Sequence, residues 1–293
     1  MNTIKVVTHD GVFHADEVMA CAILKTFSKA THVIERSRDQ SVITSADIVV
    51  DVGGVYDPIN GRFDHHQKGG AGTRENGVPF SSCGLIWKHF AQQGWWKYRV
   101  PQALWCKIMD TVDRELVQVI DAVDCGVEGF DKGISQAIVG FNPTWMDETP
   151  AADAAFHDAV AFASAILKNA VASATALVMA EEEVKKAIAN AEDGIIVMEK
   201  FAPWQQYVTP DTGITLVVFP AIPSGWRVQT VAKELGKFGA IKDLPAEWAG
   251  LRDAELAEIS GVPDAIFCHN GRFICGARTR EGALAMARKA MEA

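Results

Sequence analysis

Ala46-Asp47-Ile48-Val49-Val50-Asp51-Val52-Gly53-Gly54 reads as a buried strand that ends in a carboxylate and two glycines. A short connection, Val55 to Arg62, separates it from Phe63-Asp64-His65-His66-Gln67. An Asp-His-His triplet so soon after a strand-terminal aspartate points to metal ligands gathered at one edge of a sheet. Imidazole and carboxylate are ligands that divalent Mn, Zn or Fe accept. Taken alone, the triplet is equally compatible with ordinary surface histidines.

The residues upstream strengthen the first reading. Lys5 to Thr8 is a short β-branched strand that runs into His9-Asp10-Gly11-Val12-Phe13-His14-Ala15-Asp16-Glu17. Glu17 to Phe27 then has helical apolar spacing, with Val18, Cys21, Ala22 and Leu24 available to pack on a sheet. His32 to Arg36 is a second candidate strand and Ile48 to Val52 a third. Strand-helix alternation of this kind predicts a doubly wound α/β domain with a mostly parallel sheet. His9, His14, Asp16, Asp51 and His65 all fall at or near predicted strand ends on one edge of that sheet, where open α/β folds bind ligands. Asp16 and Glu17, taken singly, also suit the first turn of a helix as caps.

A chain of 293 residues has room for two domains with a core each. With 48% hydrophobic and 22% charged residues, its composition is that of a globular protein. No apolar run reads as long enough to span a bilayer, and the first residues lack the plan of a signal peptide, so a cytoplasmic location is the expectation. Cys21, Cys83, Cys106, Cys125, Cys268 and Cys275 form no C-x-x-C pair and read as small hydrophobes rather than a zinc knuckle. A formal charge of −9 argues against a broad surface for duplex nucleic acid, though not against a local basic groove.

Downstream of the triplet, Gln67 to Pro79 is rich in glycine and charge and reads as a mobile loop over the site or as a plain solvated connection. Ser81 and Ser82 open a helix as N-caps or as phosphate contacts. Residues 101 to 123 are helical by spacing, with Asp110 and Asp113 on the solvated face. The segment ends in Asp121-Ala122-Val123-Asp124, two carboxylates at a helix C-terminus, which the macrodipole disfavours unless something positive lies opposite. Phe141-Asn142-Pro143-Thr144-Trp145 marks a break, and the alanine-rich run from about Pro150 to Asn190 is one long helix or a hairpin of two. We divide the chain into residues 1–148, a helical bridge over 149–192 and a smaller α/β domain over 193–293. A dimer contact through the bridge is the alternative use of that helix, weakened by an imperfect heptad. In the last domain Ile195 to Met198, Leu216 to Phe219 and Ser224 to Gln229 read as strands, Leu251 to Ile259 as a helix, and Asn270-Gly271 as the turn of a hairpin. Gly276, Arg278, Arg280 and the start of the closing helix make an anion-site pattern, with Arg227, Arg278 and Arg280 as candidate phosphate contacts or as solvated arginines.

These residues together resemble the DHH phosphoesterase superfamily, and within it the Myg family (melanocyte-proliferating-gene proteins). The resemblance rests on Thr8 to Glu17, Asp51-Val52-Gly53-Gly54, Phe63-Asp64-His65-His66-Gln67, Asp121 to Asp124 and Thr279-Arg280-Glu281-Gly282-Ala283, and it covers nearly the whole chain. It implies a DHH-like catalytic domain holding two divalent metal ions, Mn²⁺ first among them, and a second domain that helps bind substrate. It implies His9, His14, Asp16, Asp51, His65 and Asp124 as ligands, with Asp51 bridging, Asp121 as the alternative last ligand, and His66 facing substrate. Where His14 stands, the broader superfamily has an aspartate, one residue closer to the first histidine. A second imidazole makes that position softer and leaves metal preference open. The C-terminal part also lacks the glycine-rich run typical of DHH-associated domains.

The resemblance implies a metal-dependent phosphodiesterase acting on nucleic-acid ends, a 3′-to-5′ exonuclease on RNA, in a cleft between the domains that closes on substrate. The acidic charge suits single-stranded RNA or short oligonucleotides better than long duplexes. Asp51 and His66 are then the catalytic residues, His66 donating to a phosphate oxygen or a leaving group. Trp226 and Trp248 are candidate base-stacking residues. The competing readings are a phosphatase or phosphodiesterase of a small phosphate ester, and a metal-stabilised binding protein without turnover.

Overall fold

Residues 3–93, 100–147 and 152–293 are described in a computed structural model. The expected boundary at 148/149, and Pro150 and Ala151 at the head of the alanine-rich run, lie outside the described residues. The chain forms two compact units, Met1–Thr175 and Ala176–Ala293. Each is an α/β structure around its own mixed sheet.

In the first unit the strands are β1 (Thr3–Thr8), β2 (Thr31–Arg36), β3 (Ile48–Val50), β4 (Tyr56–Asp57) and β5 (Arg62–Phe63). Their order is β2-β1-β3-β5-β4. All neighbours are parallel except β4 and β5. From β1 the chain first goes out to β2 and then returns to the other side for β3, so the order reverses beside β1, and the loops after β1 and β3 flank that switch point. Val7 and Val49 pair in register and pack with Ile43, Ala46 and Val52, below α2 (Gln40–Thr44). The alternate residues Val6, Ile48 and Val50 are buried on the opposite face. Such two-sided burial is why β3 reads as a continuous apolar run rather than an alternating one.

Helix α1 (Ala15–Phe27) is the core helix of this unit, buried along its length except at Lys25. It packs against α3 (Ser82–Phe90) and against two later helices. One of these belongs to a helical segment that is not uniform. It runs as α4 (Gln102–Val112), a π-helical turn (Asp113–Val117) and α5 (Gln118–Asp124). The π-turn inserts one extra residue, which rotates the following face by about 100°. The other is α6 (Gly133–Val139).

The alanine-rich run is one helix, α7 (Ala152–Ala189), not a hairpin. By length and composition it is long and apolar enough to cross a membrane, which the sequence reading missed. Its buried residues Phe156, Ala159, Val160, Ala163, Leu167 and Val171 recur at helical spacing, as in a helix packed along one stripe. The unit boundary falls inside this helix, and Ala180 and Val184 join a core of the second unit.

The second unit carries β6 (Ile195–Val197), β7 (Leu216–Pro220), β8 (Trp226–Thr230), β9 (Ala265–Cys268) and β10 (Ile274–Ala277) in the order β6-β7-β8-β10-β9. Only β6 and β7 are parallel. Leu216 and Val218 face a core with Trp248, with α8 (Asp253–Ser260) through Leu256 and with α9 (Arg280–Glu292) through Met286. Val217 and Phe219 face the other core with Trp204 and Val184. The β9-β10 hairpin is present, but residues 269–273 form its connection, closed by His269 N–H to the carbonyl of Ile274 at 2.9 Å. Asn270-Gly271 is therefore part of a longer loop rather than a two-residue turn.

Candidate metal centre

The parallel sheet delivers its ligand-type residues from strand ends. His9 follows β1, Asp51 follows β3 and His65 follows β5, while the first turn of α1 brings Asp16 and Glu17 beside its N-cap residue His14. Asp124 arrives from the end of α5. Asp51 leaves its strand at φ +56°, a left-handed conformation that aspartate tolerates better than bulkier residues. His9 Nδ1 lies 2.9 Å from the carbonyl oxygen of Asp10. A proton on Nδ1 satisfies that contact and leaves Nε2 as the ligand atom. Nε2 faces Glu17 Oε1 at 3.0 Å and Asp51 Oδ2 at 3.4 Å. The other oxygen of Asp51 serves a second set: Oδ1 is 3.3 Å from His65 Nε2, 3.4 Å from His66 Nδ1 and 3.0 Å from the Ser82 hydroxyl, which donates to it. His65 Nε2 also lies 3.3 Å from Asp124 Oδ2 and 3.8 Å from Asp16 Oδ2, with hydrogen-bond geometry to none of the three carboxylates.

Among the described residues, four overlapping groups could each hold a cation: His9, His14, Glu17 and Asp51; Asp51, His65 and His66; His65, Asp124 and Cys125; and His14, Asp16 and Asp124. Asp51, His65, His14 and Asp124 are each shared between two of them. Asp16 is fully buried and neither of its oxygens has a hydrogen-bond partner. A buried carboxylate in that state is costly unless a proton or a cation compensates it. Burial, then the charges of Asp51, Asp124 and Glu17, push its pKa well above the ordinary carboxylate range. Asp124 is also pushed up, mainly by burial, with His65 pulling the other way and Asp51 adding to the rise. Burial works against a charged His9, yet hydrogen bonds to Asp51 and Glu17 raise its pKa to about 10. His65 likewise rises to about 10 against burial, through Asp51, Cys125 and the charge of Asp124. Asp51 is held below its usual range, because His65 and His9 outweigh its burial. Protons therefore stand where positive charge is needed, and a hard or borderline divalent cation suits this donor set.

A frame of hydrogen bonds fixes the cluster. Asp64 Oδ1 accepts from the backbone N–H of His65 and His66 at 2.7 and 3.0 Å and sits 2.8 Å from His66 Nδ1, while Oδ2 accepts from Gly54 N–H at 2.6 Å. The first residue of the triplet thus orients the other two. Asp121 is fully buried, but it stands in none of the four groups. Its Oδ1 accepts from the Ser81 hydroxyl at 2.6 Å and Gly84 N–H at 2.8 Å, and Oδ2 is 2.8 Å from Arg74 Nη2. Burial raises Asp121 to about 6, with Arg74 opposing the rise. A Cβ on Gly84 would lie 1.9 Å from Asp121 Oδ2, so only glycine permits this approach. Arg74 also grips Asp113 through Nε and Nη2, both at 2.7 Å.

The structure brings His9, His14, Asp16, Asp51, His65, His66 and Asp124 together and leaves Asp121 outside the cluster. Asp113 is not a solvated helix residue but the partner of Arg74, and the 67–79 loop is anchored through that arginine. Ser81 N-caps α3 by backbone only and spends its hydroxyl on Asp121. Glu17, Cys125 and Arg74 were not read as site residues, Ser82 was read only as a helix cap or phosphate contact, and Asp64 only as part of the triplet. The His14-to-Glu17 spacing of a capping box was a usable signal for the first, since Glu17 accepts the His14 N–H as such a box requires. The arginines lie in the second unit. Arg280 pairs with Glu199 at 3.2 Å, Arg278 approaches Asp253 at 3.8 Å, and Arg227 donates to the Trp226 carbonyl at 3.1 Å and stacks on Phe267 at 5.1 Å. At the N-terminus of α9, Asp264 already accepts from Thr279 N–H and hydroxyl at 2.8 and 2.6 Å. An internal carboxylate therefore occupies the place read as an anion site. Trp248 is buried in the core and unavailable for stacking, whereas Trp226 is half-buried.

The family model MYG1_exonuc, described as "Uncharacterised protein family (UPF0160)", matches residues 5–291. The chain is 33% identical to "MYG1 exonuclease" of Mus musculus and of Homo sapiens, over 96% of this chain and 83% and 84% of theirs. It is 32% identical to "MYG1 protein C694.04c" of Schizosaccharomyces pombe over 99% of this chain and 98% of that one. No solved structure matches. With the family model spanning nearly the full length, the chain belongs to the MYG1 family.

Proposed function

We propose that the chain is a divalent-metal-dependent phosphodiesterase that hydrolyses nucleic-acid ends, a 3′-to-5′ exonuclease on RNA or short oligonucleotides, with a DHH-like catalytic unit. The single observation that carries the metal dependence is Asp16, wholly buried with both oxygens unpartnered amid His14, His65 and Asp124. The names of the mammalian relatives support the nuclease assignment. In this reading His9, His14, Asp16, Asp51, His65 and Asp124 hold two divalent ions, Mn²⁺ in first place. Asp51 would serve both, since its two oxygens face different nitrogen sets. Bound there, the ions would supply an acidified water and offset the charge that develops on a phosphoryl group.

The chain's own residues do the rest. Asp64 holds His66 by Nδ1, and the ring is 62% exposed, so Nε2 is free to meet a phosphate or leaving-group oxygen. Ser82 fixes the rotamer of Asp51 by donating to Oδ1. Arg227, Arg278 and Arg280 are assigned to the phosphates of the remaining substrate.

The test is metal-stripped protein given Mn²⁺ and end-labelled single-stranded RNA, with His65→Ala as control. A ladder that shortens from the 3′ end, absent without metal and in the variant, is the expected result. Hydrolysis of small phosphate esters without RNA shortening would replace this reading with a small-ester phosphodiesterase. Bound metal with no turnover of either would leave a binding protein.

A further inference from the structure

The segment Phe141-Asn142-Pro143-Thr144-Trp145-Met146-Asp147 has no part in the cluster of ligand-type residues, yet it is fastened to the loop that carries two of them. Asn142 uses its whole amide on this task. Its Oδ1 accepts from Phe13 N–H at 2.9 Å, and its Nδ2 donates to the Phe13 carbonyl at 2.8 Å and to the Val139 carbonyl at 2.9 Å. Phe13 is the residue before His14, and its buried ring packs edge-on against Phe156 at 5.5 Å. At the base of the segment, Phe141 stacks on Phe162 with ring centroids 5.3 Å apart. The tip is locked as well. Asp147 Oδ2 accepts from Thr144 N–H at 2.5 Å and from its hydroxyl at 2.9 Å, and Asp147 N–H closes the turn on the Thr144 carbonyl at 3.1 Å. The two corner residues of that turn are Trp145 and Met146, which are 92% and 68% exposed.

An indole left almost wholly in water gives up the burial that normally justifies its presence. Here Asn142 fastens the segment to Phe13, and Asp147 closes the turn on Thr144. Trp145 lies three residues along from Asn142, at most roughly 10 Å of chain. Nucleotides along a strand are spaced at about 3.4 Å, so that reach corresponds to roughly three stacked bases. A π-face on this turn, within that reach of the residue that grips Phe13, has the chemistry to hold an unpaired base irrespective of sequence, since every base has a π-face.

We infer that Trp145 is a base-stacking platform that holds an unpaired nucleobase of a single-stranded substrate beside the loop carrying His9 and His14. This rests on the nucleic-acid reading above and names a recognition element for it. Sequence tolerance is a consequence, since stacking discriminates little among bases. Met146 at the other corner of the turn adds an adaptable apolar contact.

The experiment compares equilibrium binding of two dye-labelled single-stranded RNA oligonucleotides of equal length, one ordinary and one abasic near its 3′ end, by fluorescence anisotropy. The full-length chain is used as wild type, Trp145→Ala and Trp145→Phe, with Tm recorded for each. Trp145→Ala is expected to bind the ordinary oligonucleotide about tenfold more weakly. It should bind the abasic one as wild type does, and Trp145→Phe should recover most of the loss. Equal weakening on both oligonucleotides, or none on either, overturns the platform. If wild type shortens no RNA, the nuclease reading falls separately. The anisotropy then still decides, since binding that depends on neither the base nor Trp145 sinks the inference.

Discussion

At the residue scale the carboxylate of Glu17 serves two neighbours from one position. Both oxygens accept from the backbone N–H of His14, at 2.9 and 3.0 Å, and Oε1 lies 3.0 Å from His9 Nε2, the nitrogen left free for a cation. Glu17→Gln keeps a carbonyl acceptor for the helix N-terminus and removes the charge. A residue that helps hold or orient a metal ligand typically carries 10- to 100-fold in affinity. Titration of the metal-free protein with Mn²⁺ by calorimetry should therefore show affinity at least about tenfold weaker in the variant, with little change in Tm. Unaltered affinity would mean that Glu17 only caps the helix. The sequence made the cap legible, because a capping box is a matter of spacing. Which way the carboxylate leans is a matter of rotamer, settled by the packing of α1 against its neighbours, and no local pattern encodes that. Asp64 was hidden for a related reason: in a triplet read for ligands, the residue that bonds the backbone of the other two looks like one more ligand.

At the element scale, the segment from Gln102 to Asp124 separates what was legible from what was not. Its helical spacing was plain, but the π-turn over Asp113–Val117 was not, since one inserted residue barely disturbs a 3.6-residue apolar period. Asp121 and Asp124 sit three apart, which kept Asp121 as the second choice behind Asp124, yet Asp121 is taken by Arg74, Ser81 and Gly84 while Asp124 meets His65. Arg74 joins this segment to the 67–79 loop beside the Asn76–Gln118 hydrogen bond, and its removal should reveal the charge of Asp121. With Arg74 present, Asp121 in the folded chain has a pKa of about 6, above the ordinary 3.8. The folded state then holds that proton more tightly than the unfolded chain does. Asp121 thus costs stability as pH rises from about 4 to 6, and the cost is full above that window. Losing the guanidinium removes a pull toward ionisation and lifts this pKa further. Arg74→Gln should cost about 3 kcal/mol at pH 8, the usual scale for stranding one partner of a buried ion pair. The loss should shrink towards pH 5, where Asp121 is protonated. Urea denaturation of both proteins at pH 5, 6.5 and 8 measures this. A loss that is constant with pH would mean that Arg74 acts through Asp113 alone.

At the scale of the whole molecule, all the candidate ligands among the described residues lie between His9 and Cys125, inside the first unit. The compositional shift to alanine was read as a helical bridge over 149–192, whereas the two units divide inside α7, because an alanine-rich stripe carries no mark of which core each turn supplies. A chain with net charge −9 gathers Asp16, Glu17, Asp51 and Asp124 in this one place, and a divalent ion bound only by the folded site must stabilise the unit that holds it. At a free concentration of about 100 times its Kd, the gain is about 2.7 kcal/mol per ion, or roughly a hundredfold in the opening equilibrium of that unit. Hydrogen exchange followed by mass spectrometry resolves where the gain appears. Adding Mn²⁺ to chelator-treated protein should slow exchange in peptides spanning residues 5–17, 48–67 and 118–125, and chelator should restore it. Peptides from β7 to α9 act as the internal reference, because no candidate ligand comes from them. Their exchange should change far less. Protection that rises equally in both units, or in neither, would remove the metal centre from the first unit and with it the basis for assigning Asp16, Asp51 and His65 to a cation.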